Sequence, residues 1–147
     1  MKEIAGQIHT TIETTAPQLA QLASADTTHK PAPDSWSKRE ILGHLIDSAA
    51  NNHQRFVRAA YNVADVFPMY DPPEWVRIQQ YNNVPWESLM TLWAAYNNHL
   101  AHVIECLPED AASAPCNIGK EEPVSLEFVV TDYLRHLQHH LGKILGE

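Results

Sequence analysis

Four stretches of this chain repeat apolar residues at the spacing of one helix face, and almost none alternates as a strand does. Ile4, Ile8, Ile12, Leu19 and Leu22 mark the first, expected from Lys2 to Ala25 with a kink or break at Pro17. The second opens at "SKRE", where Ser37 and Glu40 form a capping box, each side chain reaching the other's backbone amide; it should continue to about Asn62. The third runs from near Pro85 to Leu107 on a stripe of Leu89, Leu92, Tyr96, Leu100, Val103 and Leu107. The last begins at Ser125, a residue type suited to an N-cap, and ends near Leu145. Pro68, Pro72 and Pro73 forbid a long helix in "VADVFPMYDPPEW", leaving a short one over Glu74 to Tyr81. "TTHKPAPDSW" and "PEDAASAPCNIGKEEP" read as loops. Four helices with longer irregular connections after the second and third predict an all-α four-helix bundle. With 147 residues this is one domain, 1–147, large enough to bury a core without disulfides or a structural metal.

The net charge of −8 argues against nucleic acid or anionic membrane as a partner, since both need a basic face. Arg55 and Arg58 could make a local basic patch only. Cys106 and Cys116 are too few for a disulfide framework. No apolar run approaches the roughly 20 residues of a membrane span. "MKEIAGQIHTTIETTAPQL" lacks the apolar centre of a signal peptide, so the simplest address is the cytoplasm.

Nine histidines are many for this length, and three fall in "DYLRHLQHHLGKIL". Rotation by about 100° per residue gathers Leu126, Val130, Leu134, Leu137, Leu141 and Ile144 on one face of the last helix. His136 and His140, four apart, share a side bordering that face near Val129 and Tyr133. His139 points elsewhere. Two imidazoles one turn apart can face one cation, the geometry of a zincin helix. Leu137 stands where the zincin glutamate would be, so this is no HExxH protease. The alternative is two boundary histidines hydrogen-bonded to neighbours. On the second helix His44, Ser48, Asn51 and Arg55 form a polar stripe with Asp47 beside it. The apolar side holds Leu42, Leu45, Ile46, Ala49, Phe56 and Val57. Periodicity alone leaves two readings of that stripe, a solvated face or a polar cleft, and leans toward solvent. His99 and His102 are a rival pair, His53 reads as a satisfied core histidine, and His9 and His29 as surface residues. No Glu is followed three residues later by His, which rejects a carboxylate-bridged di-iron bundle.

"WSKREILGHLIDSAANNHQRF" and "DYLRHLQHHLGKI" resemble the second-helix and last-helix signatures of the DinB/YfiT-like superfamily of candidate metalloenzymes. The layout is similar over nearly the whole chain, but the middle, including "EWVRIQQYNNVPW", has no signature that aligns. The resemblance implies a four-helix bundle holding a divalent metal, zinc or nickel, on one histidine of the second helix and two of the last: His44, His136 and His140. The helix rotation selects the same His136–His140 pair, whereas His44 rests on the resemblance. Three neutral imidazoles leave coordination positions open. Asp47 is then the candidate base or orienting carboxylate, with a surface or capping role as its alternative, and Asp132 is a weaker candidate. Asn51 and Arg55 are candidates to contact an anionic substrate. The resemblance implies a metal-dependent hydrolase of a small molecule, with transfer of a low-molecular-weight thiol and a non-catalytic metal-binding bundle as alternatives. Family habit allows a homodimer without pointing to an interface.

Overall fold

The computed structural model describes residues 1–61, 66–119 and 121–146. Its long helices are α1 (Lys2–Ala20), α3 (Lys38–Tyr61), α5 (Trp86–Cys106) and α6 (Leu126–Leu145), with short helices α2 (Ser24–Thr27) and α4 (Pro72–Gln79) between them. Single 3-10 segments lie at Tyr81–Asn83 and Glu109–Ser113. The two-residue strands β1 (Pro115–Cys116) and β2 (Val124–Ser125) pair antiparallel, with Pro115 opposite Ser125. No helix is long and apolar enough to cross a membrane among the described residues.

The long helices make a four-helix bundle. Helix α1 packs on α5 and α6, and so does α3, giving the ring order α1, α5, α3, α6. Segments 21–37 and 107–125 therefore span the two diagonals, while α4 lies in the connection between the neighbours α3 and α5. Ile8, Leu19, Leu42, Phe56, Trp93, Leu100, Leu137 and Ile144 are fully buried where the stripes meet. Each such side chain contributes roughly 1.5–3 kcal/mol of transfer free energy, so packing, more than local propensity, holds the bundle.

Several local expectations need correction. Helix α1 runs through Pro17 and ends at Ala20, short of Ala25. Pro17 is exposed, so the carbonyl it deprives of an amide is on the solvent side. At the end of the helix the Leu19 carbonyl accepts from the buried Trp86 indole N–H at 3.0 Å and from the Leu22 amide at 3.2 Å. On α5 the buried stripe is Leu89, Trp93, Asn97, Leu100 and Ile104, and Leu92 is 50% exposed. Asn97 belongs to the core because it is paired: its Oδ1 accepts from Tyr133 Oη at 2.5 Å and its Nδ2 donates to the Trp93 carbonyl at 2.8 Å. Val57, read as apolar-facing, is exposed. Helix α4 starts at Pro72, two residues before the expected Glu74, since prolines fit the first turn and Asp71 caps it. The expected end of α3 at Asn62 lies outside the described residues.

Candidate metal centre

The capping box forms as expected: the Ser37 amide donates to Glu40 Oε2 at 2.8 Å, and the Glu40 amide donates to Ser37 Oγ at 3.2 Å. Ser37 Oγ also donates to Asn82 Oδ1 at 2.7 Å. One turn of sequence away, Arg39 donates to the carbonyls of Asn82 and Val84 and to Thr27 Oγ1. The start of α3 is thus tied to the turn after α4. This fixes Trp36, just ahead of the cap, with its ring 4.9 Å from that of His44.

His44 is 4% exposed and points at α6, not at solvent. Of the two readings of its stripe, the buried cleft is the one the fold contains. His44 Nε2 lies 3.1 Å from His136 Nε2, and Ser48 Oγ lies 3.5 Å from His136 Nδ1. The ring centroids of His44, His136 and His140 are separated by 5.0, 4.8 and 4.5 Å. One nitrogen from each falls within 4.8 Å of the others, a grouping that can hold a metal ion. His139 is exposed and outside the group.

The electrostatics suit a cation ligand set. Burial, then the charges of His136 and Lys143, hold His44 down at about 4. Burial, then His136, His44 and further neighbours, hold His140 down at about 3. Burial lowers His136 too, against the pull of Asp132. All three are neutral at pH 7, the form that ligates. The Nδ1 atoms of His44 and His140 are buried and meet no hydrogen-bond partner among the described residues. Buried polar atoms rarely go unpaired, and an unpaired ring nitrogen in a cluster of imidazoles fits a metal site.

Asp47, also buried, faces the α4 side. Its Oδ1 accepts from Tyr81 Oη at 2.5 Å and from Gln79 Nε2 at 2.7 Å, while Oδ2 has no partner among the described residues. Burial raises its pKa, and the two hydrogen bonds oppose the rise. The Tyr81 ring can reach Asp47 because Gly43 has no side chain: a Cβ there would lie 2.1 Å from the ring. Tyr81 and Gln79 come from the segment that carried no readable signature. Gly43, a glycine inside a long amphipathic helix next to His44, was the signal that something approaches closely.

Two cavities flank the histidines. One of about 140 Å³ opens on His136, with Ser48, Asn52, Arg55, Tyr70 and Asp132 on its wall. Another of about 630 Å³ opens on His140 and includes Trp36 and Lys143. Arg55 therefore shares a cavity with His136, half-buried and donating to Asn52 Oδ1 at 3.4 Å. Asn51 lines neither cavity; its amide donates to the Asp47 carbonyl at 2.9 Å. Asp132 is ion-paired with Arg135 at 2.6 Å.

Residues 7–144 match the family model of the DinB superfamily. Two proteins of Oceanobacillus iheyensis, both named as candidate metal-dependent hydrolases, are 26% and 25% identical over 75% and 81% of this chain. The chain spans 63% and 67% of their own lengths. Among solved structures, YfiT from Bacillus subtilis, described as a probable metal-dependent hydrolase with an unusual four-helix bundle topology, matches with a TM-score of 0.85. The match has 17% identity and covers 97% of this chain and 83% of YfiT. A mycothiol-dependent maleylpyruvate isomerase matches with a TM-score of 0.77 and 17% identity over 97% of this chain and 59% of the isomerase. At these identities the structural matches speak for the fold.

Proposed function

We propose, for a chain that belongs to the DinB superfamily, that it is a metal-dependent hydrolase of small molecules in which His44, His136 and His140 hold one divalent ion, zinc or nickel. The observation that carries this reading is the convergence of three neutral imidazoles from α3 and α6. When bound, such an ion supplies a Lewis acid that lowers the pKa of a water or thiol ligand. The chain's own residues hold and orient what reacts there. Asp47 is the carboxylate we assign to the site: Tyr81 and Gln79 fix Oδ1, and the buried acid takes up a proton more readily than an ordinary carboxylate. Arg55 contacts an anionic group in the cavity at His136. Open space on both sides of the histidines favours turnover over a closed structural ion.

Elemental analysis of tag-free His44→Ala, His140→Ala and His139→Ala proteins tests the assignment. The first two lose most bound metal and the third keeps it; equal content in all three would sink it. A hydrolase panel with zinc or nickel added, repeated after chelation, then tests the reaction class. The likeness in fold to a mycothiol-dependent isomerase favours one second reading, transfer of a low-molecular-weight thiol. Metal-dependent thiol consumption across a panel of electrophiles would support it, and no consumption would leave hydrolysis.

A further inference from the structure

Arg55, the expected anion contact on α3, lies on the wall of the cavity at His136. That cavity holds about 140 Å³. Pockets for small organic ligands run from about 300 to 1,000 Å³, so it suits a water or a lone small group. The other cavity, about 630 Å³, falls inside that range. It is built differently. Pro31, Trp36 and Ile41 give it an apolar wall, His140 opens onto it from the candidate metal centre, and Lys143 is the one charged residue that lines it among those described. Trp36 touches both parts, since its ring also lies 4.9 Å from that of His44.

Lys143 sits one turn beyond the histidine pair on α6 and forms no ion pair with any described residue. It lines the same cavity as His140, which lies one turn before it on the same helix. In a chain of net charge −8, the largest opening beside these histidines therefore presents a lone cation over an apolar wall. Such a surface selects a negatively charged ligand with an apolar body.

We infer that the Trp36–Lys143 cavity is the substrate-binding subsite and takes small anionic molecules, carboxylates above all, with a flat apolar part against Trp36. The cavity becomes a substrate site only through the metal-centre reading above, whereas binding to it needs no ion. The histidines then lie between the subsite and the small Arg55 cavity, which has room only for a lone small group, the anionic group assigned to Arg55 above.

The test titrates 1-naphthoate and its uncharged counterpart 1-naphthamide into the full chain, metal-free and zinc-loaded. Binding is read from the Trp36 indole N–H resonance, identified by its loss in Trp36→Phe. We expect naphthoate to shift that resonance saturably in both forms. Naphthamide should bind about fivefold more weakly, and Lys143→Gln should weaken naphthoate by a similar factor while Lys143→Arg restores it, as for a charge pair made by an exposed lysine. Lys143→Gln should keep the metal content of the parent protein. Equal affinity for acid and amide, an unchanged affinity in Lys143→Gln, or no shift at millimolar naphthoate would each overturn the inference. Naphthoate binding to a protein that takes up neither zinc nor nickel would remove the metal reading and keep the anion site; metal uptake without naphthoate binding would do the reverse.

Discussion

Helix α3 carries histidines toward both of its neighbours, and the two groups have nearly the same ring spacing. His44 meets His136 and His140 of α6 with ring centroids 5.0 and 4.8 Å away. His53 meets His99 of α5 at 5.2 Å. Their surroundings differ. On the α6 side two ring nitrogens are buried without partners among the described residues, and burial leads the causes that depress the pKa of all three rings. On the α5 side His53 Nδ1 lies 3.3 Å from Tyr96 Oη, and His99 is exposed. Ring proximity alone therefore does not distinguish the two groups. Convergence of three donors, with desolvation that leaves nitrogens unpaired among the described residues, does.

The largest difference is expected when a ring is removed from each group. His44→Ala, His136→Ala and His140→Ala are each expected to lower metal affinity by more than about 100-fold, since loss even of an outer-sphere partner costs 10–100-fold. His53→Ala and His99→Ala should leave the metal content at the parent level. Competition with a chromogenic chelator measures both.

Acid should separate the groups next. The histidine reference pKa is 6.5, and the fold holds His44 at about 4 and His140 at about 3. The metal-free folded state therefore binds fewer protons than the unfolded chain between these values. The stability tied to the neutral rings is fully present above pH 6.5 and falls as the pH drops toward 4 and then 3. Urea midpoints of metal-free protein should decline from pH 7 to pH 4.5, and a His44→Gln, His140→Gln double variant should decline less. Parallel slopes would show that the inner rings are not the desolvated ones.

A smaller effect tests how α3 is held beside the site. Gly43→Ala puts a methyl into the Tyr81 ring, so the ring that bonds Asp47 has to move. The overpacking should cost about 1–3 kcal/mol in urea unfolding. Gly6→Ala on α1 meets nothing within 4 Å and should gain about 0.4–1 kcal/mol. Tyr81→Phe, which leaves Asp47 Oδ1 with Gln79 alone, should cost about 1–3 kcal/mol. Equal stability of the two alanine variants would mean that the Tyr81 contact is dispensable.

The parts of this molecule that repeat every turn were legible in its sequence. Helices α5 and α6 begin and end within about two residues of where their stripes and caps place them, α3 begins at its cap, and the last-helix rotation separates exposed His139 from His136 and His140. The parts that depend on contacts between distant segments were not. His44 sits on a stripe that looks solvated until α6 is packed on it. The α5 stripe was misread by one position because Asn97 counts as polar, and only Tyr133, 36 residues on, makes it a core residue. Tyr81 and Gln79 reach Asp47 across more than 30 residues from a proline-rich stretch with no periodicity. Long-range polar pairing of this kind leaves no local pattern.

The weakest expected effect tests the comparison from its quiet side. The pKa of His53 is lowered first by burial and second by His99. His99→Ala removes the second cause and leaves most of the first, so the His53 ring should titrate slightly higher by proton NMR yet stay below its ordinary value. Stability should change by less than about 1 kcal/mol, as for other exposed positions. One equivalent of zinc added to the parent protein should then perturb the ring signals of His136 and His140 and leave those of His53 and His99 in place. A zinc-dependent shift of His53 that disappears in His99→Ala would mean that the outer pair competes for the ion. The distinction between the two sides of α3 would then rest on depth alone, not on the number of converging donors.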